Sequence, residues 1–244
     1  TLASQALGQV RLTTLVIKPK EVYEMKGTDI LVVDTLVLMD SSVLLLNKLK
    51  TENFIHAKKI VFHRGSLIDG RGVRGIPGRN GRAGQSSSAP CSNGSVGGRG
   101  SEGTNGGNGI HLFLAFQDIV LHGVATLDVS GGDAGDGAEG GIGGGGGTGT
   151  RLCSGGNGGA GGPGSNGGTG GNAGTITFQA KRIPELRSML GEQIRIRNFG
   201  GHPGTGGDGG GGGYAGLNPL GKSSLDGKPG RKGVRGKDGK PGMP

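Results

Sequence analysis

Aromatic and aliphatic side chains are scarce in this sequence of 244 residues. It contains no tryptophan, two tyrosines and six phenylalanines, and hydrophobic residues make up 31% of the chain. Ordinary globular chains have roughly 45–50% apolar residues on a count that includes glycine. A doubly wound sheet or a TIM barrel needs more leucine, isoleucine, valine and phenylalanine than this. So few aromatic residues also cannot line a small-molecule pocket.

The sequence also has no long hydrophobic run and no convincing motif for catalysis. No stretch of 18 or more apolar residues is present, so we expect no membrane span. Residues 216–223 fit the phosphate-loop expression G-x-x-x-x-G-K-S, but that mechanism needs a strand before the loop and a helix after it. Glycines precede this stretch and Gly-Lys-Pro-Gly follows it. The sequence therefore predicts a protein that is not an enzyme.

Cofactor and metal sites are not expected either. The five histidines show no Ser, Cys or Asp partner pattern, and the two cysteines lack partner ligands at metal spacing. Asp128, Asp133, Asp136 and Glu139 lie among glycines, but their spacing is not that of a calcium-binding nonapeptide. We interpret these four acids as solvated loop residues.

Glycine is abundant, at 61 of 244 residues, or one residue in four. Because glycine costs roughly 1 kcal/mol per helical position relative to alanine, almost no α-helix is expected. Composition divides the chain into three parts. Residues 1–69 form a β-rich base, residues 70–221 are glycine-rich with β islands at 110–130 and 175–199, and residues 222–244 are glycine-rich without an island.

Three apolar units resemble one another and recur at intervals of about 60–70 residues. They begin at Phe54, Phe113 and Phe178, and each predicts a strand, a turn and a second strand before a long glycine excursion. Repeated strand pairs with a long glycine-rich insertion at the same point of each repeat are typical of a β-solenoid or a stacked sheet. The alternative is a small β-sandwich with similar strands.

The glycine excursions have a period of three. Glycine occupies every third position in five runs, which are 72–84, 94–109, 155–170, 201–216 and 227–242, and the segment 131–149 forms a plausible sixth. Polyproline II has three residues per turn, so these glycines share one edge of an extended left-handed helix, where another backbone can approach closely. We predict a polyproline II bundle, with glycine inside and polar side chains outside. A flexible linker is the alternative.

We expect residues 222–244 to be a collagen-like Gly-X-Y segment, because the last eighteen residues, 227–244, form six unbroken Gly-X-Y triplets and resemble collagen. The segments richer in glycine resemble the polyproline II bundles of springtail antifreeze proteins, phage tail-tip adhesins and Obg-type GTPases. The collagen resemblance implies 4-hydroxylation of prolines in the third triplet position and a secretory route. These candidate hydroxyprolines are Pro77, Pro163, Pro203, Pro229, Pro241 and Pro244.

The even number of cysteines in a chain with little apolar core suggests a disulfide between Cys91 and Cys153 and an oxidising compartment. Free or intermolecular thiols are the alternative. Asn93-Gly94-Ser95 is a candidate N-glycosylation sequon.

The formal net charge of +9 is concentrated in two collagen-like stretches. The candidate basic contact surface consists of Arg71, Arg74, Arg79, Arg82, Lys228, Arg231, Lys232, Arg235, Lys237 and Lys240. Acidic or sulfated glycans are possible partners for such a surface, and a solvated face that maintains solubility is the alternative. No nucleic acid partner is expected, because no aromatic residues interleave with the bases.

Together these features predict a secreted, extracellular structural protein that self-associates into fibres or matrix. An adhesin or glycan-binding module is the first alternative. An ice-binding protein is the second, and its binding face should be rich in Thr, Ala and Val, whereas these edges carry Arg, Lys and Asn.

Overall fold

The computed structural model describes residues 9–181 and 183–218. Ten strands and one short helix are present in this part of the chain. The strands are β1 (Gln9–Ile17), β2 (Val22–Glu24), β3 (Ile30–Leu38), β4 (Val43–Leu45), β5 (Glu52–Phe62), β6 (Leu67–Asp69), β7 (His111–Leu121), β8 (Ala125–Asp128), β9 (Ile176–Ala180) and β10 (Ile194–Arg197), and the helix is α1 (Ile183–Met189).

The strands form two parallel five-stranded sheets. One sheet has the order β1-β3-β5-β7-β9, and the other has the order β10-β8-β6-β4-β2. Successive odd strands lie in one sheet and successive even strands in the other, so every strand pair along the chain contributes one strand to each. The equivalent strands pair in register: Ile55 lies beside Leu114, and Ile68 lies beside Leu127.

One hydrophobic core lies between the strands of the two sheets. Along β3 and β5, buried and more exposed residues alternate, as expected for strands with one face turned to a core. Leu44, Ile68 and Leu127 of the second sheet are fully buried, as are Leu36 and Ile60 of the first. The apolar residues of the sequence are therefore concentrated in the sheets.

Five extended glycine-rich segments continue from the strands. We name them segments I (70–88), II (93–110), III (129–149), IV (154–175) and V (198–218). Segments I, III and V leave the ends of β6, β8 and β10, and segments II and IV lead back into β7 and β9. Segments I, III and V therefore run away from the sheets, and segments II and IV run towards them.

Backbone hydrogen bonds join the five segments into one bundle. Segment I pairs with II and III, segment II also pairs with III and IV, segment III also pairs with IV and V, and segment IV also pairs with V. This pattern places I, III and V in one layer and II and IV in a second. The bonds recur at every third residue: from Gly72 to Gly84, every third amide donates to a segment III carbonyl at 2.7–2.9 Å. Three residues is the period of polyproline II.

Absence of a side chain is what allows these backbones to approach. A Cβ atom added to Gly162 would overlap the carbonyl oxygen of Gly98 in the neighbouring segment. The amide of Gly162 at the same time donates to the carbonyl of Gly141 at 2.8 Å. Glycine at every third position therefore keeps two neighbouring backbones within hydrogen-bonding distance on different sides of segment IV.

The structure confirms several sequence predictions and refines others. The expected low helix content is confirmed, and the three predicted strand pairs are present as β5/β6, β7/β8 and β9/β10. The run 131–149, which the sequence presented as only a plausible sixth run, lies in segment III, which pairs with the other four segments. The island 175–199 differs from the prediction because α1 separates its two strands. The run 227–242 lies outside the described residues.

Candidate functional surfaces of the glycine-rich bundle

A disulfide closes the end of the bundle that is remote from the sheets. Cys91 and Cys153 are bonded, with their Cα atoms 6.0 Å apart and a sequence separation of 62. Cys91 lies in the turn between segments I and II, and Cys153 lies in the turn between segments III and IV. The predicted disulfide is therefore confirmed, and the alternative of free thiols is wrong for this structure.

Side-chain oxygens cross-link the segments on the outer face of the first layer. The Asp133 carboxylate accepts hydrogen bonds from the backbone amide and the imidazole Nδ1 of His202, both at 2.9 Å. The Asp136 carboxylate accepts from the amide of Thr205 at 2.7 Å and from its hydroxyl at 2.9 Å. These acids, interpreted from the sequence as solvated loop residues, join segment III to segment V.

Electrostatics at this face follow from those bonds. Hydrogen bonds from the backbone and then the side chain of His202 lower the pKa of Asp133 below its ordinary value. Hydrogen bonds from the backbone and then the side chain of Thr205 lower the pKa of Asp136 in the same way. The positive charge of Arg74 contributes to both shifts. The ionised form of each acid is therefore favoured by the fold.

Asparagine side chains play the same role on the outer face of the second layer. The amide oxygens of Asn93, Asn105 and Asn108 in segment II accept hydrogen bonds from backbone amides of segment IV at 2.7–2.9 Å. Sequence analysis missed this function. The available signal was the repeated placement of Asn or Asp three residues apart, beside the glycines, at positions 105 and 108 and again at 133 and 136.

Side-chain hydroxyl groups accept hydrogen bonds from backbone amides along the outer edge of the bundle, where segments I and II lie. The amides of Ile76, Arg79 and Gln85 in segment I donate to side-chain hydroxyls of segment II, each at 2.6 Å. The accepting residues are Thr104, Ser101 and Ser95. These amides have no neighbouring backbone to bond on that side, so the hydroxyls satisfy them.

The predicted basic surface is only partly available to a partner. Arg71 forms two side-chain hydrogen bonds with the Asp69 carboxylate, at 2.7 and 3.0 Å, so its charge is compensated locally. Burial raises the pKa of Asp69, but its hydrogen bonds with Arg71, together with the charges of Lys48 and Arg71, outweigh burial and the net pKa is lowered. Arg74, Arg79 and Arg82 are exposed on segment I.

The basic residues predicted near the C-terminus, namely Lys228, Arg231, Lys232, Arg235, Lys237 and Lys240, lie outside the described residues.

The candidate modification positions lie on the surface where the structure describes them. Pro77, Pro163 and Pro203 are exposed, each beside a glycine of its segment. Asn93 is exposed near the disulfide, and its side-chain oxygen already bonds to segment IV. Pro229, Pro241 and Pro244 lie outside the described residues.

Within residues 9–181 and 183–218, no group of three or more His, Cys, Asp or Glu residues is arranged to hold a metal ion. The helix in this described part is too short to cross a membrane. No family model, curated protein or solved structure matches the chain. The exposed surfaces of the bundle and the edge strands of the sheets are therefore the candidate contact surfaces for a partner.

Proposed function

We propose that this chain is an extracellular structural protein that assembles into filaments by stacking of its sheets. In this proposal the repeated strand pairs are the coils of a β-solenoid, and the glycine-rich segments are polyproline II helices held on it as a rigid projecting bundle. The collagen-like character of residues 227–244 and the disulfide support a secreted, matrix-type role.

One observation carries the proposal: among the described strands, each sheet ends in strands that have one neighbour only. The first sheet ends in β1 and β9, and the second ends in β2 and β10. Edge strands present unpaired backbone groups that can pair with another chain. The two ends of a parallel sheet differ, so a second copy adds head to tail, and such a contact generates an open filament when it does not close into a ring.

Electron microscopy of concentrated protein tests this function. Five strands per copy at about 4.8 Å each predict an axial repeat of about 24 Å along the filament. Thr177→Lys adds a charge to the exposed face of edge strand β9 and should prevent filament growth. Gln117→Lys adds the same charge to an exposed position of the interior strand β7 and is the matched control. A protein that remains monomeric at every concentration in sedimentation velocity would contradict the proposal.

An adhesin is the second candidate, and the bundle tip favours it. The turn 150–153 presents Arg151 and Leu152 on a backbone held by the disulfide. Leu152 is 98% exposed. An exposed cation and an apolar side chain on a rigid turn suit recognition of an acidic glycan. A glycan array probed with the protein and with its R151A/L152A variant tests this function. Binding that is equal for both proteins, or absent for both, would count against the tip.

A further inference from the structure

The groove between segments IV and V carries two rows of backbone groups with no hydrogen bond to any part of the chain that the structure describes. The first row consists of amides of segment IV, at Gly155, Gly158, Gly161, Gly164, Gly167 and Gly170. The second row consists of carbonyls of segment V, at Gly201, Gly204, Gly207, Gly210, Gly213 and Gly216. Both rows have the three-residue spacing of the bundle.

The equivalent rows elsewhere in the bundle are fully paired. In segment II, every third amide from Gly94 to Gly109 donates to a carbonyl of segment IV at 2.8–3.1 Å. In segment III, every third carbonyl from Gly132 to Gly147 accepts an amide of segment IV at 2.8–3.0 Å. In both cases the partner is segment IV, which runs towards the sheets. The two rows of the groove are therefore positioned to pair with one more segment that runs towards the sheets.

The groove also differs from the opposite edge of the bundle. There, hydroxyls of Ser95, Ser101 and Thr104 accept three of the five outward amides of segment I, those of Gln85, Arg79 and Ile76. Segment IV has glycine at all six donor positions and segment V has glycine at all six acceptor positions, so neither row can be capped by its own side chains. Backbone groups in such rows can bond only to another backbone, to side chains of a neighbouring segment or to water.

We propose that residues 227–244 of the same chain occupy this groove as a sixth segment. They contain six triplets that begin with glycine, which equals the number of amides in one row and of carbonyls in the other. The glycine amides, from Gly227 to Gly242, would donate to the carbonyls of segment V, as the amides from Gly156 to Gly171 of segment IV donate to segment III. Glycine suits this donor position because a Cβ there would meet a neighbouring carbonyl, as it would at Gly162. The second triplet positions, from Lys228 to Met243, would accept from the amides of segment IV through their carbonyls.

Proline in the third position is compatible with this arrangement. In its C-terminal triplet, each of Pro229, Pro241 and Pro244 follows the donating glycine and the accepting second residue. The amide of this third position would face neither segment IV nor segment V, so its absence in proline removes no hydrogen bond to the groove. The chain also has sufficient length to turn back, because ten residues, 217–226, separate Gly216 from Gly227, whereas six, 88–93, separate Ser87 from Gly94.

Amide hydrogen exchange of the full chain, followed by NMR, tests the proposal. We expect the segment IV amides from Gly155 to Gly170 to be protected as strongly as those of the paired row from Gly94 to Gly109. The variant Gly233→Ala/Gly236→Ala places two Cβ atoms against the groove and should speed exchange of the segment IV row by about tenfold or more. The matched control is Arg235→Ala, which changes only an outward third position.

Three results would overturn the proposal. The segment IV row would exchange rapidly in the unmodified chain, or it would remain protected in the double-alanine variant, or it would be protected only at high protein concentration. The last result would assign the groove to a second copy. Unchanged protection of the Gly94–Gly109 row shows that each variant is folded. The groove lies on the bundle and filament growth uses the sheet edges, so this experiment can fail without affecting the proposed function.

Discussion

At the scale of single residues, the missing Cβ decides which positions can lie between backbones. Gly162 and Gly211 both belong to glycine-rich triplets, but their surroundings differ. A Cβ on Gly162 would meet the carbonyl of Gly98, whereas a Cβ on Gly211 would meet nothing within 4 Å. Sequence alone does not separate these two glycines, because both lie in runs where most neighbours are also glycine.

The first prediction compares alanine at these two positions. Gly162→Ala should lower the free energy of unfolding by about 3 kcal/mol or more, because backbone must move to accommodate the added methyl group. Gly211→Ala should leave the free energy of unfolding unchanged or raise it slightly, since alanine restricts the unfolded chain more than glycine does. Chemical denaturation measures both. Equal losses in the two variants would contradict the assigned packing.

The second prediction concerns the disulfide. Removing the Cys91–Cys153 bond opens a loop of about 63 residues and should reduce stability by about 4 kcal/mol in the chain-entropy model. Cys91→Ser, Cys153→Ser and the double variant should show the same loss, because each removes the same bond. Urea unfolding with and without reductant makes the measurement. The double variant, which should not respond to reductant, is the control.

At the scale of elements, polar side chains hold neighbouring segments in register. The carboxylates of Asp133 and Asp136 accept amides of segment V, and the asparagines of segment II accept amides of segment IV. These bonds lie on the exposed faces of the bundle, where glycine has no side chain to bond a neighbouring segment. The glycine period of three therefore sets the distance between segments, and the Asp and Asn side chains add hydrogen bonds between them.

The third prediction is a loss of stability in acid. The folded-state pKa values of Asp133 and Asp136 are lowered, so their contribution is present above their ordinary pKa of 3.8 and is lost as the pH falls below it. The free energy of unfolding should decrease from about pH 4 downward. Asp133→Asn/Asp136→Asn keeps an accepting oxygen but cannot titrate, and it should flatten this part of the profile. An identical profile for both proteins would refute the role of these acids.

The sequence predicted the repeated strand pairs but not every element. The apolar runs of β3, β5 and β7 are long enough to be identified from composition. Strand β2 has only three residues, Val22–Glu24, and its strand conformation depends on pairing with β4. Helix α1 is also short, and Leu186 within it is buried in the core of the sheets. Tertiary contacts stabilise both elements, so local pattern alone was insufficient.

At the scale of the whole molecule, the sheets and the bundle form one continuous structure. Segment II leads directly into β7, and the amide of Ile110 donates to the carbonyl of Gly70 at the boundary. The hydrophobic core of the sheets and the backbone hydrogen bonds of the bundle are therefore connected through the same chain segments. Loss of packing in the sheets should be transmitted to the bundle.

The fourth prediction tests that connection. Leu112 of β7 is fully buried, and Leu112→Ala should lower the free energy of unfolding by about 2–5 kcal/mol. Amide exchange should accelerate in segment II as well as in β7, because the two are continuous. Leu152→Ala, at the exposed tip, should change stability by less than about 0.5 kcal/mol. Faster exchange confined to β7 would show that the bundle is stable independently of the sheets.

The sequence by itself determined the composition-based features of this protein: apolar strand pairs, glycine at every third position and two cysteines able to pair. These are local properties, since strand alternation and a three-residue helical period depend on neighbours in the chain. Only the tertiary structure decided which segments lie together, placed segment III against four others, and left one edge capped by hydroxyls and the other lined with glycine. Those features depend on hydrogen bonds between residues that are distant in sequence, and the triplet pattern is too uniform to specify its own partners.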